Sequence, residues 1–513
     1  MFDISKKFIK ASRRWKNINP ILLPFSDVAS KNNTLQKLIQ LSFFQVSVGI
    51  AFVLLVGTLN RVMIVELGVS SSLVAMMVAI PLVFAPFRAL IGFRSDTHKS
   101  AIGWKRIPYL WVGSLLLFGG LATMPFALIL LSGDTHWPKF FAVIATACSF
   151  LLVGSGAQIV QTAGLALATD IVDEPLRPRV VALMYTMLLL GMMVSGIVLS
   201  SLLEPFSQIK LIQVIQGVAV LTFCLNMLAL WKQEARSPNK TKQHHGHPSF
   251  GSAWRELTSD LNVRRFFLAL AVGTIAFSMQ DVILEPYGGE ILAMSVSETT
   301  LLTTFSSSGA FLAFGVAAYI LNKNINPNRL AAFGALVGIV GFSFIVFSEP
   351  TNIVEFFIVG VFLIGFGGGL FSISCLTAAM HINFGGFSGL VLGTWGAIQA
   401  LSMGTGIALG GLLRDFTEYI LSLNTVSQTV LPPNLAGYLG VYHLEIFLLF
   451  LVLVVIGPLA GKPRGFLTSN SKKFGLARFP NKRRKIWKAE LSLSMLMSLN
   501  WYCIFFGFFS LVS

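Results

Sequence analysis

The chain is short of charge. Asp, Glu, Lys and Arg make up 12% of its 513 residues, about half the ~25% usual in soluble domains. The charges it has are clustered, so long apolar runs are left unbroken, and the mean hydropathy is +0.75. That combination excludes an ordinary water-soluble fold. It makes a bilayer the solvent, where runs of roughly 18 or more apolar residues read as spanning helices. Short alternating segments, the mark of a membrane β-barrel, are missing too. Cysteine is scarce: Cys148, Cys224, Cys375 and Cys503 all lie inside apolar runs without pair spacing. They read as small buried hydrophobes and not as disulfide, redox or metal chemistry. No Walker A, HExxH, CxxC or nucleophile-elbow motif stands in a fitting context, so neither enzymatic activity nor a bound metal is expected. The first 37 residues are basic and polar with no early apolar core, so no cleavable signal peptide is expected.

What the chain does have is apolar sequence in span-length blocks. Twelve spans are expected near 38–60, 70–92, 107–132, 139–168, 179–202, 210–231, 265–285, 299–321, 330–348, 353–380, 386–412 and 438–460. Forty-six glycines suit close helix packing. Lys and Arg then sort by side. All but four of the 38 fall in the N-terminal arm, the even-numbered loops and the C-terminal tail; the four are Arg61, Lys139, Lys210 and Arg414. This asymmetry puts both ends of the core in the cytoplasm. The net charge of +16 is thus a topology signal with some attraction for anionic lipids. It is not a nucleic-acid footprint, because no aromatic-basic platform accompanies it.

The polar stretch 232–264 follows span six and divides the chain. The expected organisation is a basic cytoplasmic arm (1–37), a six-helix half (38–231), a cytoplasmic linker (232–264), a second six-helix half (265–460) and a basic tail with a further apolar segment (461–513). His244, His245 and His247 lie in the linker without a carboxylate or Cys cluster nearby, so they read as solvated linker and not as a metal site. A weak internal repeat supports the split. "GVSSSL" (Gly68–Leu73) opens span two and "SVSETT" (Ser295–Thr300) opens span eight. In span four Gly154 precedes Thr162-Ala163 by eight residues, and in span ten Gly369 precedes Thr377-Ala378 by the same interval. Two such halves joined by a cytoplasmic linker describe the twelve-helix major facilitator fold, so the expected class is an all-α polytopic membrane protein of that architecture. The segment Leu491–Ser513 stays open between a thirteenth span, an interfacial helix and a non-native extension.

Four groups of residues stand out. The loop "RALIGFRSDTHKSAIGWKRIPYL" after span two carries Gly92, Asp96, Gly103, Lys105 and Arg106, similar to the facilitator loop in which an acid and paired basic residues latch helix ends during rocking. Topology-setting charge is the equally weighted alternative. Asp170, Arg177 and Arg179 after span four could complete an ion network there; the corresponding loop of the second half lacks the acid. Span seven carries Gln280, Asp281 and Glu285, with the two acids at i and i+4 and so on one helix face. Acids at membrane depth are costly and usually face a partner or cavity, and Arg61 at the end of span one is a plausible partner across the halves. Gln158 and Gln161 are polar within span four. Gln161 reads as an interhelical hydrogen bond first and a ligand contact second. His381 closes span ten and reads as end-capping, with a chlorin magnesium ligand as the remote alternative. Spans two, three, five, six, eight, nine and eleven hold essentially no ionisable residue away from their ends. That suits a lipophilic cargo or a scaffold better than a carrier of ions or sugars.

Longer segments are more specific. Leu59–Gly113, Gln161–Tyr185, Met279–Leu292 and "FGLARFP" (Phe474–Pro480) closely resemble the PucC/LhaA family, the bacteriochlorophyll delivery branch of the major facilitator superfamily, in its purple-bacterial form. The resemblance runs over roughly residues 35–480. It implies light-harvesting complex assembly in the inner (intracytoplasmic) membrane of a phototrophic bacterium. Bacteriochlorophyll would be the cargo, and antenna polypeptides, pigment-synthesis enzymes and membrane insertion machinery the partners. Two alternatives remain at this point, a conventional secondary transporter of a small solute and a scaffold with no cargo path. After Pro480 the basic and apolar extension departs from the family pattern.

Overall fold

The computed structural model describes residues 35–83, 106–132, 138–172, 176–231, 233, 260–321, 323, 325–382, 388–423 and 432–461. Among these residues there is no strand. Twelve helices follow one another: α1 (Leu35–Phe52), α2 (Ser71–Val83), α3 (Ile107–Leu131), α4 (Lys139–Ile171), α5 (Arg177–Leu202), α6 (Gln208–Leu230), α7 (Leu261–Ser278), α8 (Val296–Leu321), α9 (Pro327–Thr351), α10 (Val354–His381), α11 (Ser388–Ser422) and α12 (Pro433–Ala460). Eleven are long and apolar enough to cross a membrane, counting the continuations of α1 to Glu66 and α7 to Glu290; α2 is described over a shorter apolar length. The chain is a multi-pass membrane protein.

Three helices run past their expected ends. The first and seventh continue to Glu66 and Glu290 and the eleventh to Ser422, because polar groups that read as the edge of the bilayer (Asn60, Arg61, Asp281, Glu285 and Arg414) are instead enclosed between helices. Asn60 and Arg61 are 0% and 4% exposed.

Helix packing repeats from one half to the other. In the first half α1 packs on α5 and α6, α3 on α4 and α6, and α2 on α4. In the second half α7 packs on α11 and α12, α9 on α10 and α12, and α8 on α10. The halves meet where α2 lies on α11 and α5 lies on α8, two contacts that exchange under the same six-helix repeat. The glycine match read from the sequence falls on this symmetry. Gly154 of α4 packs against Pro81 of α2, and Gly369 of α10 packs against Ala310 of α8. Gly156 sits on the α3 backbone and Gly164 on the Phe44 ring, while Gly406 and Gly410 bring α11 onto the α7 backbone. Small residues of this kind let membrane helices approach closely without a hydrophobic drive between them. Cys375 is buried as expected, but Cys148 and Cys224 are exposed on the outside of the bundle, a surface that lipid covers; Cys503 lies outside the described residues.

Gly365 and Gly315 separate packing from mere flexibility. A Cβ on Gly365 would lie 2.0 Å from the Ser306 carbonyl, whereas one on Gly315 would meet nothing within 4 Å. Gly365→Ala should therefore cost about 1–3 kcal/mol through overpacking. Gly315→Ala should be neutral or stabilise by about 0.5–1 kcal/mol, by removing glycine from a helix interior. Thermal unfolding of the two purified variants checks this, and equal effects would rule out the packing account.

Candidate functional site

The end of the bundle opposite the linker is where the helices become irregular. Beyond α1 the chain continues in π-helical turns at Val53–Leu59 and Val62–Glu66. Beyond α7 it tightens into a 3₁₀ turn at Met279–Val282 and resumes as a short helix at Leu284–Glu290. The second break has a cause in the sequence. Pro286 has no N–H to reach the Val282 carbonyl four residues back, and its ring crowds that carbonyl. The Asn60 side chain supplies the missing donor: its amide nitrogen donates to the main-chain carbonyls of Asp281 at 3.1 Å and Val282 at 3.3 Å, and to Val56 of its own helix. Two irregular helices from different halves are thus tied at one level, a feature common at functional sites.

The predicted polar residues gather around this tie, in an arrangement different from the expected one. Arg61 is not the ion-pair partner of Asp281 or Glu285. It pairs with Glu66 of its own helix and donates to the Met294 carbonyl at 3.3 Å. The π-turn explains the change, because its i→i+5 repeat brings Glu66 alongside Arg61. Asp281 and Glu285 do not share a continuous helix face, since the break falls between them. Asp281 accepts from the Gln280 amide at 2.9 Å. Glu285, 3% exposed, accepts from Thr303 of α8 at 2.7 Å and packs against Gly57, where a Cβ would come within 2.5 Å of its carboxylate. The Arg61 guanidinium lies against Gly289 in the same way. Gly57 and Gly289 are therefore needed for close approach.

Further residues join the cluster that the sequence reading passed over. Glu445 of α12 is fully buried and lies beside the Gln280 main chain and Asp281. The signal was available, one acid in the otherwise apolar "YHLEIFLLFLV". Arg414 of α11, counted only as an outside charge, pairs with Glu290 at 2.9 Å, Asp415 at 3.0 Å and Glu418 at 2.7 Å. It also stacks 4.8 Å over the Tyr438 ring, whose hydroxyl donates to Glu290 at 2.9 Å. Asp415 accepts from the Ser72 main-chain N–H at 2.7 Å, so an acid of the second half caps the N-terminus of α2 in the first. Ser200 and Ser297 share a hydrogen bond of 2.9 Å between α5 and α8. The Ser72–Asp415 and Ser200–Ser297 bonds pin the halves together at the Arg61 end, while the Arg414 and Glu445 contacts tie helices of the second half to one another.

The other candidates lie elsewhere and are not brought together. Arg106 and Asp170 form an ion pair of 3.0 Å between the start of α3 and the end of α4. Both belong to the first half, so this pair fastens two helices within a half and does not latch one half to the other. Gly92, Asp96 and Lys105 lie outside the described residues, as do His244, His245, His247 and the tail, and the Arg177 side chain is likewise not described; Arg179 stands in the first turn of α5. Gln161 donates to Gln45 of α1 at 3.5 Å, the interhelical bond expected of it. Gln158 lines a cavity of about 30 Å³ between α1, α2 and α4. His381 is half-buried in the last turn of α10, remote in sequence and helix from both glutamines. No group of three or more His, Cys, Asp or Glu able to hold a metal ion occurs among the described residues. Separately, a groove of about 440 Å³ runs between α5 and α6 on the floor of α1, lined by Ile50, Val194, Val198 and Leu221 with Lys210 and Gln213 at one end. Val194, Val198 and Leu221 are exposed on the perimeter of the bundle.

This arrangement of two irregular helices meeting between two six-helix halves defines a transporter-like fold of the major facilitator type, and solved structures agree. The chain superposes on a point mutant of the nucleoside transporter NupG with TM-score 0.60 at 14% identity, covering 83% of this chain and 99% of that one. A bacterial homologue of the iron transporter ferroportin in an inward-facing state matches with TM-score 0.60 at 15% identity, over 83% of this chain and 99% of that one. Sequence narrows the class. The family model described as PUCC protein matches residues 58–463. Protein PucC of Rhodovulum sulfidophilum is 50% identical over 411 residues, 79% of this chain and 90% of the relative, and Protein PucC of Cereibacter sphaeroides is 47% identical over 445 residues, 86% and 96% respectively. The chain belongs to the PucC family.

Asn60→Leu should lower stability by about 1–3 kcal/mol, because it strands a buried carbonyl. Pro286→Ala restores an N–H to that carbonyl, so in the Pro286→Ala background the same Asn60→Leu change should cost measurably less, a coupling of about 0.5–3 kcal/mol. Thermal unfolding of the four members of the cycle reads it, and strict additivity would refute the role given to Pro286.

Proposed function

We propose that this protein is an assembly factor for light-harvesting complexes, which delivers bacteriochlorophyll to antenna polypeptides in the inner membrane of a phototrophic bacterium. The observation that carries this reading is the extent of its likeness to proteins named PucC, 50% identity over 411 residues in one case. A more distant relative, 25% identical over 396 residues, is named as the bacteriochlorophyll synthase 44.5 kDa chain of Rhodobacter capsulatus. The physical character of the chain supports a lipophilic cargo. Its helices are nearly free of charge outside one end, and the α5–α6 groove offers an apolar surface from the side. The protein carries out no bond chemistry on this reading. It holds and orients pigment beside the antenna chains, with pigment-synthesis enzymes and insertion machinery as neighbours. The basic arm, linker and tail face the cytoplasm, where they meet anionic headgroups.

A second reading has a specific observation behind it. Three acids within the bundle, Asp281, Glu285 and Glu445, with likeness in fold to a nucleoside transporter, suit a coupled carrier of a small solute.

Expression in a Cereibacter sphaeroides strain lacking its own PucC separates the two. Antenna absorbance in the near infrared should return, with pigment synthesis unaltered. Unchanged antenna bands, with the protein present in the membrane, would count decisively against assembly. Within that assay Asp281→Asn or Glu285→Gln should lower antenna absorbance more than Ala at His244, His245 or His247. Equal tolerance at all five positions would overturn the importance given to the polar end.

A further inference from the structure

The buried polar end has an imbalance that ion pairing does not relieve. Its two cations are committed, Arg61 to Glu66 and Arg414 to Glu290, Asp415 and Glu418. Asp281, Glu285 and Glu445 have no ion-pair partner among the described residues. Five buried side-chain oxygens there meet no donor in good hydrogen-bond geometry: Asn60 Oδ1, Gln280 Oε1, Glu285 Oε2 and both carboxyl oxygens of Glu445. The amide orientations are settled, because Asn60 Nδ2 faces main-chain carbonyls and Gln280 Nε2 faces the Asp281 carboxylate. Three donors at this end, Arg61 Nε, Arg414 Nε and the Tyr442 hydroxyl, are also unpartnered, so unmet oxygens outnumber unmet donors by five to three at the level where the first span is π-helical and the seventh is broken. A carboxylate only accepts hydrogen bonds, whereas a carboxylic acid also donates one, so protons are what this group of oxygens lacks. A metal ion fits less well, since no three acids come together at ligand spacing among the described residues.

We propose that Asp281, Glu285 and Glu445 form a proton-binding site, and that occupying it lets the two halves close at the Arg61 end. At Glu285 and Glu445, which are 3% and 0% exposed, each proton removes a charge that would otherwise be buried unpaired, a state far too costly to persist in a sealed interface; Asp281 is half-buried beside them. Without the protons the acids are better accommodated in water, and the contacts of the π-turn at Val53–Leu59 with the 3₁₀ turn at Met279–Val282, of α2 with α11 and of α5 with α8 give way. The other charged and titratable groups at this end are Arg61 and Glu66 of the first span, Glu204 after α5 and Lys210 of α6, Tyr287 and Glu290 of the seventh span, Glu298 of α8, Glu349 of α9, Glu355 of α10, Arg414, Asp415 and Glu418 of α11, and Tyr438, Tyr442 and His443 of α12. The described part of α2 contributes none. The closed arrangement binds more protons than the open one, so raising the pH favours opening, by up to about tenfold per pH unit for each proton released. The site makes no reference to the cargo and can be tested without pigment.

The experiment uses the full-length protein in sodium-free lipid nanodiscs, with the four cysteines replaced and spin labels at positions 197 and 305, which flank the contact of Gly196 with Thr304. The inter-label distance distribution should be narrow and short at pH 6 and gain a longer population as the pH rises to 9. Glu445→Gln should make that transition shallower. The triple variant Asp281→Asn, Glu285→Gln, Glu445→Gln should stay closed throughout. An infrared spectrum of the wild-type protein needs no variant: a protonated-carboxyl carbonyl band should persist at pH 8, where exposed carboxyls are ionised. Absence of that band overturns the proposal even if the triple variant does not fold. So does a distance that ignores pH, a pH response that survives in the triple variant, or closure driven by added sodium at constant pH.

Discussion

A carbonyl stranded inside a bilayer has no water to turn to, and this constraint organises the polar end of the molecule. Pro286 takes away the partner of the Val282 carbonyl in the middle of a spanning helix. The vacancy is filled from the other half of the protein by Asn60. Because the donor sits on the first span and the acceptor on the seventh, satisfying one main-chain group requires the halves to touch there. The π-turns of the first span belong to the same solution. They rotate Arg61 toward Glu66 and bring Gly57 against the Glu285 carboxylate. A broken helix that would be a defect in a lone span becomes the element that joins two bundles.

The consequence for packing is a division of labour along the membrane normal. Contacts across the halves are polar at the Arg61 end: the Asp415 cap on α2, the Ser200–Ser297 pair and the Asn60 tie. Within each half the helices are held along the body of the bundle by small residues and apolar surface, as where Gly367 of α10 meets the Gly334 carbonyl of α9, with ion pairs at the helix ends. Apolar contacts between helices are nearly neutral against lipid and hold the halves as solid blocks through shape. Polar contacts depend on whether their partners and protons are present. A boundary built from polar contacts between blocks built from apolar ones is suited to moving as a hinge while each half stays intact.

Much of this was legible before any coordinates. Span count, the split into two halves and the glycine correspondence of Gly154 with Gly369 all follow from apolar block length and small-residue spacing, local properties that the bilayer makes nearly decisive. The polar end was legible in membership and not in arrangement. Arg61, Gln280, Asp281 and Glu285 were singled out because charge at membrane depth is rare, and they do lie together. Their pairing was not legible, because it rests on two departures from the α-helix, and an i, i+4 argument fails once α7 breaks at Pro286 and the first span turns π-helical. Pro286 itself was open to reading, as an interior proline four residues after Val282. Glu445 was missed because a single acid in a long apolar run looks like an isolated exception until the fold brings α12 against the α7 break.

That last placement changes how the scarcity of charge is understood. Seven spans with essentially no ionisable group suggested a lipophilic cargo or a scaffold. The structure shows that the charge is scarce because it is concentrated. Acids of the seventh span and α12 lie toward one end, and the body of the bundle is left apolar where a lipophilic molecule could lie against it. A pigment that partitions into lipid offers few polar groups by which binding could shift a conformational balance, and a ligand shifts an equilibrium only by its differential affinity for the two states. A protein handling such a cargo needs its conformational bias to come from somewhere else. On the proposed function, a polar end separate from the apolar surface would provide that bias and leave the surface free of charges that would repel the cargo.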